Sequence, residues 1–265
     1  MMFLICPICA EPLNAIANGV VCANKHQFDR AREGYFNLLP VQFKHSREPG
    51  DAKQQLQARR VFLQSGLFSP LVDHLLNAIP CNIKSLLDIG CGEGYFTRAL
   101  QKHCPDAQIY GIDIAKAAVK LAAKSAPAEL TYAVASSYAL PIADNTMDVI
   151  TRIYAPSKDE ELLRVLKPAG KLIIVTPGEN HLLALRKKIY KEIRPHPTPV
   201  TPEGFCEVSS SKVNFDLTVT SGESVNALLR MTPFLWRMSE EIQQELTLTG
   251  LQDQADFQVV VYQPL

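Results

Sequence analysis

Hydrophobic positions fall into two rhythms along this chain, and the change between them divides it into three parts. From residue 85 onward, short unbroken apolar runs alternate with stretches of helical spacing. Ser85–Ile89 predicts a strand and Tyr95–His103 a helix. Residues 108–112 predict a second strand, and 116–125 an Ala-rich helix. A third strand is expected over 130–135 and a fourth over Met147–Ile153. Residues 159–166 read as a helix ended by Pro168-Ala169-Gly170. The run 171–176 is nearly all apolar and rich in β-branched residues, as a strand buried on both faces should be. This alternation predicts a parallel sheet with helices on both faces. Residues 212–220 and 257–262 read as later strands that complete it, one of them antiparallel.

Before residue 85 the pattern changes. Leu56, Val61, Phe62, Leu67, Leu71, Leu75 and Ile79 carry helical spacing, with Gly66 and Pro70 expected to split the segment in two. A polar stretch, 42–55, precedes it and holds a Pro49-Gly50 turn. Residues 1–35 are short, turn-rich and hold three of the seven cysteines. The expected organisation is therefore a small module over 1–35, a connector and helical segment over 36–80, and an α/β domain over 81–265.

Composition narrows this little. The 265 residues are 47% hydrophobic and 20% charged, with Lys+Arg and Asp+Glu at 27 each. A zero balance argues against a protein that coats nucleic acid, while leaving room for a local basic face. The start, MMFLICPIC, lacks the basic region and cleavage site of an export signal. No run reaches the roughly 18 apolar residues of a membrane span. Cysteines grouped in one tight cluster fit metal binding in a reducing compartment, hence a cytoplasmic location and no membrane partner.

The first chemical signal lies in SLLDIGCGEGYFTRAL, where a strand runs through Gly90-Cys91-Gly92-Glu93-Gly94 into a helix. Such a loop lets backbone approach a ligand beyond the carboxyl ends of the strands. The spacing is G-x-G-x-G, not the dinucleotide G-x-G-x-x-G; Tyr95 stands where the third glycine would fall. Asp88 ahead of the loop would repel a pyrophosphate and suits the cationic methionine end of S-adenosylmethionine. Asp113, closing the second strand, can accept both ribose hydroxyls. Ala135-Ser136-Ser137 could meet the adenine edge. The alternative is a strand–helix turn with no cofactor.

The second signal is Cys6-x2-Cys9, a twelve-residue gap, then Cys22-x3-His26. Zinc takes four tetrahedral ligands of this S and N kind. Asn18-Gly19 supplies a hairpin turn between the pairs, and metal would supply folding energy that so short a segment lacks. With four ligands filled, one Zn2+ would be structural or substrate-gripping. Free thiols or a redox pair are the alternatives, although no βαβ pattern surrounds the C-x-x-C. Cys91 reads as merely small, and Cys81, Cys104 and Cys206 have no metal spacing.

DIGCGEG, the acid of GID, and ELLRVLKPAGKLIIVTPG resemble class I methyltransferases across residues 80–180, with Ala169 where glycine is commoner. There Asp88, Gly90, Gly92 and Asp113 take the cofactor-binding roles. A closer resemblance covers essentially the full chain. CPICAEPL, CANKHQFDRAREGYFNLLPVQFKHSREPGDAKQQLQARRVFLQSG, VASSYALPIADNTMDVITRIYAPSK, TPGENHL and MTPFLWR are similar to the large-subunit (23S) ribosomal RNA guanine-N1 methyltransferases. The resemblance implies a Rossmann-like class I methyltransferase domain behind a zinc-binding module, with zinc on Cys6, Cys9, Cys22 and His26. It implies transfer of a methyl group from S-adenosyl-L-methionine to N1 of one guanine in a 23S rRNA hairpin loop, in free rRNA or an assembling ribosome, by a homodimer. Its cofactor contacts fall on Gly92, Glu93, His181 and Phe68; at the last, relatives carry Tyr, so ring stacking survives and a hydroxyl bond does not.

Two basic clusters could meet phosphates: Lys25, Arg30, Arg32, Lys44, Arg47, Arg59 and Arg60, and then Arg186, Lys187, Lys188, Lys191 and Arg194. Either could equally be solvated surface. Phe28, Tyr35, Phe36 and Phe43 interleave with the first, where an exposed ring could stack on a base. Arg152-Ile153-Tyr154-Ala155-Pro156 ends the fourth strand, where base-nitrogen enzymes shape the floor of the target site. His181 could orient the cofactor or move a proton; the acceptor of the N1 proton stays unassigned. Two rivals remain: a methyltransferase for a small metabolite, and a zinc-containing RNA-binding protein without activity.

Overall fold

The computed structural model describes residues 2–41, 53–80, 82–124, 126–127, 129–197, 199–220, 222–232 and 234–265. The Pro49-Gly50 turn, Phe43, Lys44, Arg47 and Cys81 lie outside them. The chain opens with a three-stranded antiparallel sheet, β1 (Asn14–Ile16), β2 (Gly19–Val21) and β3 (Gln27–Asp29). Its first turn is made by residues 17–18 rather than the expected Asn18-Gly19, because Gly19 is already paired with Ile16. Glycine is needed there for a different reason: a Cβ would stand 2.4 Å from the Phe28 carbonyl oxygen.

Next come the short strand β4 (Phe36–Asn37) and the helices α1 (Lys53–Gln64) and α2 (Ser69–Asn77). Gly66, with φ of 80°, and Pro70 in the first turn of α2 divide the helices as expected. Then follow β5 (Ser85–Ile89), α3 (Tyr95–His103), β6 (Gln108–Asp113), α4 (Lys116–Lys124), β7 (Leu130–Val134), β8 (Met147–Ile153), α5 (Asp159–Val165) and β9 (Leu166–Pro177). Pro168-Ala169-Gly170 does not end the helix; α5 stops at Val165 and these residues begin a longer strand. The chain closes with α6 (Leu183–Ile189), β10 (Phe205–Val219), α7 (Gly222–Met231), a 3-10 turn at Leu235–Arg237, α8 (Glu240–Thr249) and β11 (Leu251–Pro264).

The main sheet has eight strands in the order β10-β11-β9-β8-β5-β6-β7-β4. The pairs from β4 to β9 are parallel. β11 runs against β9 and β10 against β11, so β11 alone opposes the rest. Strand order reverses at β5, between β6 and β8, where an open α/β sheet offers its crevice. β4, from the stretch read as connector, pairs with β7 and so belongs to the sheet.

Alternate residues of each strand divide between two cores. Leu86, Ile109, Val149, Ile173 and Val259 face one side, with Leu71, Leu100, Val119, Leu185, Val225 and Leu246 from the helices. Leu87, Ile89, Tyr110, Ile112, Ile150 and Ile174 face the other. Helices lie on both faces as expected, but unequally. Among the described residues α5 is the one helix on that second face, and Leu4, Leu13, Val20 and the zinc-site cysteines of the N-terminal module cover the remainder. The Phe3 amide donates to the Tyr110 hydroxyl at 3.0 Å, and the Ile5 amide to the Pro141 carbonyl at 3.0 Å. The module is thus stitched onto the sheet.

Candidate active site and metal centre

Four side chains converge in the N-terminal module. The ligand atoms of Cys6, Cys9, Cys22 and His26 all lie within 4.8 Å of one another. His26 Nδ1 is 3.5, 3.3 and 3.5 Å from the sulfurs of Cys6, Cys9 and Cys22, and Cys9 and Cys22 are 3.7 Å apart. A tetrahedron with metal–ligand bonds of about 2.0–2.3 Å has edges of about 3.3–3.8 Å, so these spacings fit zinc. The Asn24 side chain, followed by a backbone bond in Glu11, draws the Cys9 thiol down to about 6, toward the thiolate a metal needs. This is a zinc-binding Cys3His cluster with all four positions filled by protein.

The second site opens where β5, β6, β8 and β9 end. A cavity of about 790 Å³ lies there, within the range of small-molecule sites. Phe68, Asp88, Gly90, Gly92, Glu93, Asp113 and His181, drawn from four separated stretches of chain, all line it. Gly90 and Gly92 have φ of 71° and 55°, in the left-handed region. At Gly90 a Cβ would also fall 2.4 Å from the Ala155 Cβ, so the loop rests directly on the segment that follows β8. At Gly92 a Cβ would meet only Arg59, at 3.9 Å, which leaves that backbone open to the cavity.

Asp88 is 2% exposed, and its two oxygens accept from Thr97 (2.6 Å) and Thr151 (2.8 Å). Burial pushes its carboxyl up to about 6, against the pull of those hydroxyls. A cation bound beside it would relieve that cost. Asp113 accepts from the Gly92 amide at 2.9 Å and the Ala115 amide at 2.8 Å. It therefore shapes the loop while keeping lone pairs for a ribose. Glu93, also 2% exposed, bonds Arg98 through Oε2 at 3.0 Å, while Oε1 is buried with no hydrogen-bond partner among the described residues. A buried acceptor without a partner, on a residue that lines a cavity, calls for a donor from a bound ligand. The residues present thus fit S-adenosylmethionine.

Across the cavity stands an aromatic wall. Phe68 is 6% exposed and packs edge-on against Phe62, Phe215 and Phe257 at centroid distances of 5.2, 6.3 and 5.3 Å. His181 lies 4.7 Å from Phe257 and 6.3 Å from Tyr154. The Asp256 amide donates to His181 Nδ1 at 3.3 Å, which places the ring proton on Nε2. Burial, with His196 beside it, pulls the imidazole down to about 3. His181 is therefore a neutral donor and is not placed to take a proton. Tyr154 has a positive φ of 55°, an uncommon backbone state for a side chain of its size, and is 52% exposed at the cavity rim. Ala135 and Ser137 also line the cavity, the latter in keeping with an adenine-edge contact.

Other expectations change. Tyr35 and Phe36 are 4% and 6% exposed and belong to the cores, so neither can stack on a base. Arg186 is 4% exposed and bonds the carbonyls of Glu179, His181 and Arg194, so it holds a loop and not a phosphate. Lys187, Lys191 and Arg194 remain exposed, and Lys188 pairs with Glu245. Tyr138, 54% exposed and on the rim with Tyr154, went unnoticed because exposure is not legible from local pattern.

Strand order, glycine loop and acidic strand ends define a class I S-adenosylmethionine-dependent methyltransferase domain carrying a Cys3His zinc module. Two families match in that order: "RlmA, N-terminal" over residues 4–47 and "Methyltransferase domain" over 86–170. The chain is 33% identical over 193 residues to 23S rRNA (guanine(748)-N(1))-methyltransferase of Streptomyces fradiae, covering 69% of this chain and 66% of that one. It is 32% identical over 249 residues to YxjB of Bacillus subtilis (strain 168), a provisionally named 23S rRNA (guanine-N(1)-)-methyltransferase, covering 87% and 86%. The chain belongs to the family of 23S rRNA guanine-N1 methyltransferases. Among solved structures, a provisionally assigned methyltransferase in complex with the Trm112 activator of Haloferax volcanii superposes with a TM-score of 0.53 at 17% identity, covering 80% of this chain and 96% of that one. That likeness speaks for the fold alone.

Proposed function

We propose that this protein transfers a methyl group from S-adenosylmethionine to N1 of one guanine in a 23S rRNA hairpin loop, in free rRNA or an assembling particle. The observation that carries the reading is the meeting of all seven expected cofactor residues at one cavity in a chain of this family. When bound, the cofactor supplies an electrophilic methyl on a sulfonium. Asp113 accepts ribose hydroxyls, and Asp88 faces the cationic end with its charge held by Thr97 and Thr151. The open backbone at Gly92 and the free Glu93 oxygen take donors of the cofactor, and Phe68 gives it an apolar wall. His181 offers Nε2–H. Ala155-Pro156 forms the floor for a base whose Watson–Crick edge has been exposed, and the half-exposed rings of Tyr138 and Tyr154 at the rim can stack on it. Catalysis by position suits in-line methyl transfer.

The same reading assigns residues 1–35 to RNA recognition and zinc binding, 36–80 to the connecting helical segment and 81–265 to catalysis, in a cytoplasmic homodimer. No helix is long and apolar enough to cross a membrane among the described residues. The test uses cofactor labelled in its methyl group and 23S rRNA from cells lacking the enzyme, digested to nucleosides. Label in N1-methylguanosine is expected. Label in another nucleoside overturns the N1 assignment. No label despite cofactor binding points to an assembling particle or a small molecule as the substrate, and no cofactor binding to an inactive RNA-binding protein.

A further inference from the structure

The segment after α6 reads Arg194-Pro195-His196-Pro197, and of these His196 lines the cavity. Proline fixes its own φ and biases the residue before it toward extended backbone, so Pro195 and Pro197 hold Arg194 and His196 in an extended strap. The Arg186 guanidinium bolts the strap down. It donates to the Arg194 carbonyl and, from its other nitrogen, to the carbonyls of Glu179 and His181 at 3.0 and 3.4 Å. His196 thereby reaches the cavity wall beside His181, with ring centroids 6.5 Å apart. Its Nε2 is buried and has no hydrogen-bond partner among the described residues. A buried, unpartnered ring nitrogen at a cavity wall is a place prepared for a ligand atom.

Sheet order tells which ligand. Asp113 and the glycine loop hold the β6–β5 side of the crevice, whereas Tyr154, His181 and His196 hold the β8–β9 side. The cofactor is anchored on the first side and reaches across to His181, so the target base comes to the rest of the second, beside Tyr154 and His196. On that side a group is needed to accept the proton that guanine N1 loses as it is methylated. His181 cannot, since Nδ1 already accepts the Asp256 amide and Nε2 carries hydrogen. Asp88 and Asp113 lie on the cofactor side with their oxygens bonded. We propose that His196 Nε2 is the general base of the transfer, a role that rests on the guanine-N1 reading.

In that step the N1–H bond breaks and its proton passes to His196 Nε2. The N1 electron pair forms the bond to the methyl carbon, and the carbon–sulfur bond breaks with its pair left on sulfur as a thioether. The imidazolium then returns its proton to solvent. Burial and the Arg186 charge hold His196 below the ordinary imidazole value, so it is neutral at working pH and able to accept. The Asp256 carboxylate opposes that shift and would steady the imidazolium once formed. The charged and titratable groups that face it are therefore Arg186, Asp256 and His181.

The experiment compares wild type with His196→Gln and His196→Ala. It measures cofactor affinity by calorimetry, and single-turnover formation of N1-methylguanosine in 23S rRNA against pH. General-base removal is expected to cost about 10²–10³-fold in rate, with cofactor affinity unchanged. The His196→Ala rate should climb with pH into the alkaline range, where guanine N1 ionises unaided, while wild type levels off. Added imidazole should restore part of the alanine variant's rate. A His196→Gln enzyme as fast as wild type with the same pH profile overturns the proposal while leaving the N1 reading intact. Loss of cofactor binding in both variants overturns it in favour of a positioning role. Wild type that methylates RNA elsewhere than guanine N1 removes both.

Discussion

Asp88 shows how one buried charge can couple ligand binding to pH. Its carboxyl titrates near 6 in the folded chain against an ordinary value of 3.8. A raised acid binds protons more tightly folded than unfolded, so its contribution favours the folded state at low pH and is lost as pH rises from about 4 to 6. A cationic cofactor prefers the carboxylate, so affinity for S-adenosylmethionine should fall as pH drops through about 6. Calorimetry in buffers of different ionisation heat should show proton release on binding near pH 5.5. Asp88→Asn should abolish that release and weaken binding about tenfold or more, roughly 1.4 kcal/mol or above. Gly90 makes a second expectation. Alanine there needs a positive φ and a Cβ 2.4 Å from Ala155, so Gly90→Ala should destabilise by more than about 1 kcal/mol and lower cofactor affinity, read by thermal melting with and without ligand.

The glycine loop, Asp88 and Asp113 could be read from sequence because each stands within a few residues of a strand end that its own pattern announces. His181 follows the end of β9 by four residues, but only family resemblance gave it and Phe68 a cofactor role. His196 and the buried state of Arg186 had no signal at all. Arg186 opens a run of three basic residues, and such a run looks like surface until the packing around it is known.

Elements were legible wherever local pattern and tertiary context agree. The five core strands and their helices have unbroken apolar runs and clean spacing. β10 and β11 run longer than expected, 15 and 14 residues, because their pairing continues past stretches that mark only the C-terminal half of β10 and the middle of β11. α6, α7 and α8 went unseen, being 7 to 10 residues long and set among strand-like neighbours. The zinc module is the element with the sharpest consequence. Its apolar residues belong to the same core as Leu87, Ile89 and Tyr110. Chelation should therefore lower the melting temperature of the whole chain in one transition and leave no separately melting module, as scanning calorimetry at one zinc per chain would show. Two well-resolved transitions would count against a shared core.

At the scale of the molecule, the parallel sheet and the order of its βα units were readable, since alternation dictates them. The covering of the second face was not: nothing in a cysteine pattern says that its hairpins replace helices. The charge balance is zero overall, so the RNA binding proposed above would have to come from local groups. Lys25 and Arg32 are exposed on the module. If they meet phosphates, Lys25→Gln with Arg32→Gln should weaken 23S rRNA binding and flatten its salt dependence by about one unit per lost contact. Cofactor affinity should not change. Filter binding across a salt series reads both.

A module stitched into the sheet cannot be traded between proteins. Trimming the chain to begin after β4 would bare Leu87, Tyr110 and Ile112, and so large an apolar patch invites aggregation. A graft of another metal-bound hairpin would have to bring its own matches for Leu4 and Val20, together with a donor for the Tyr110 hydroxyl. The two parts must accordingly be inherited together, and a change on one side of that seam is answerable to the other.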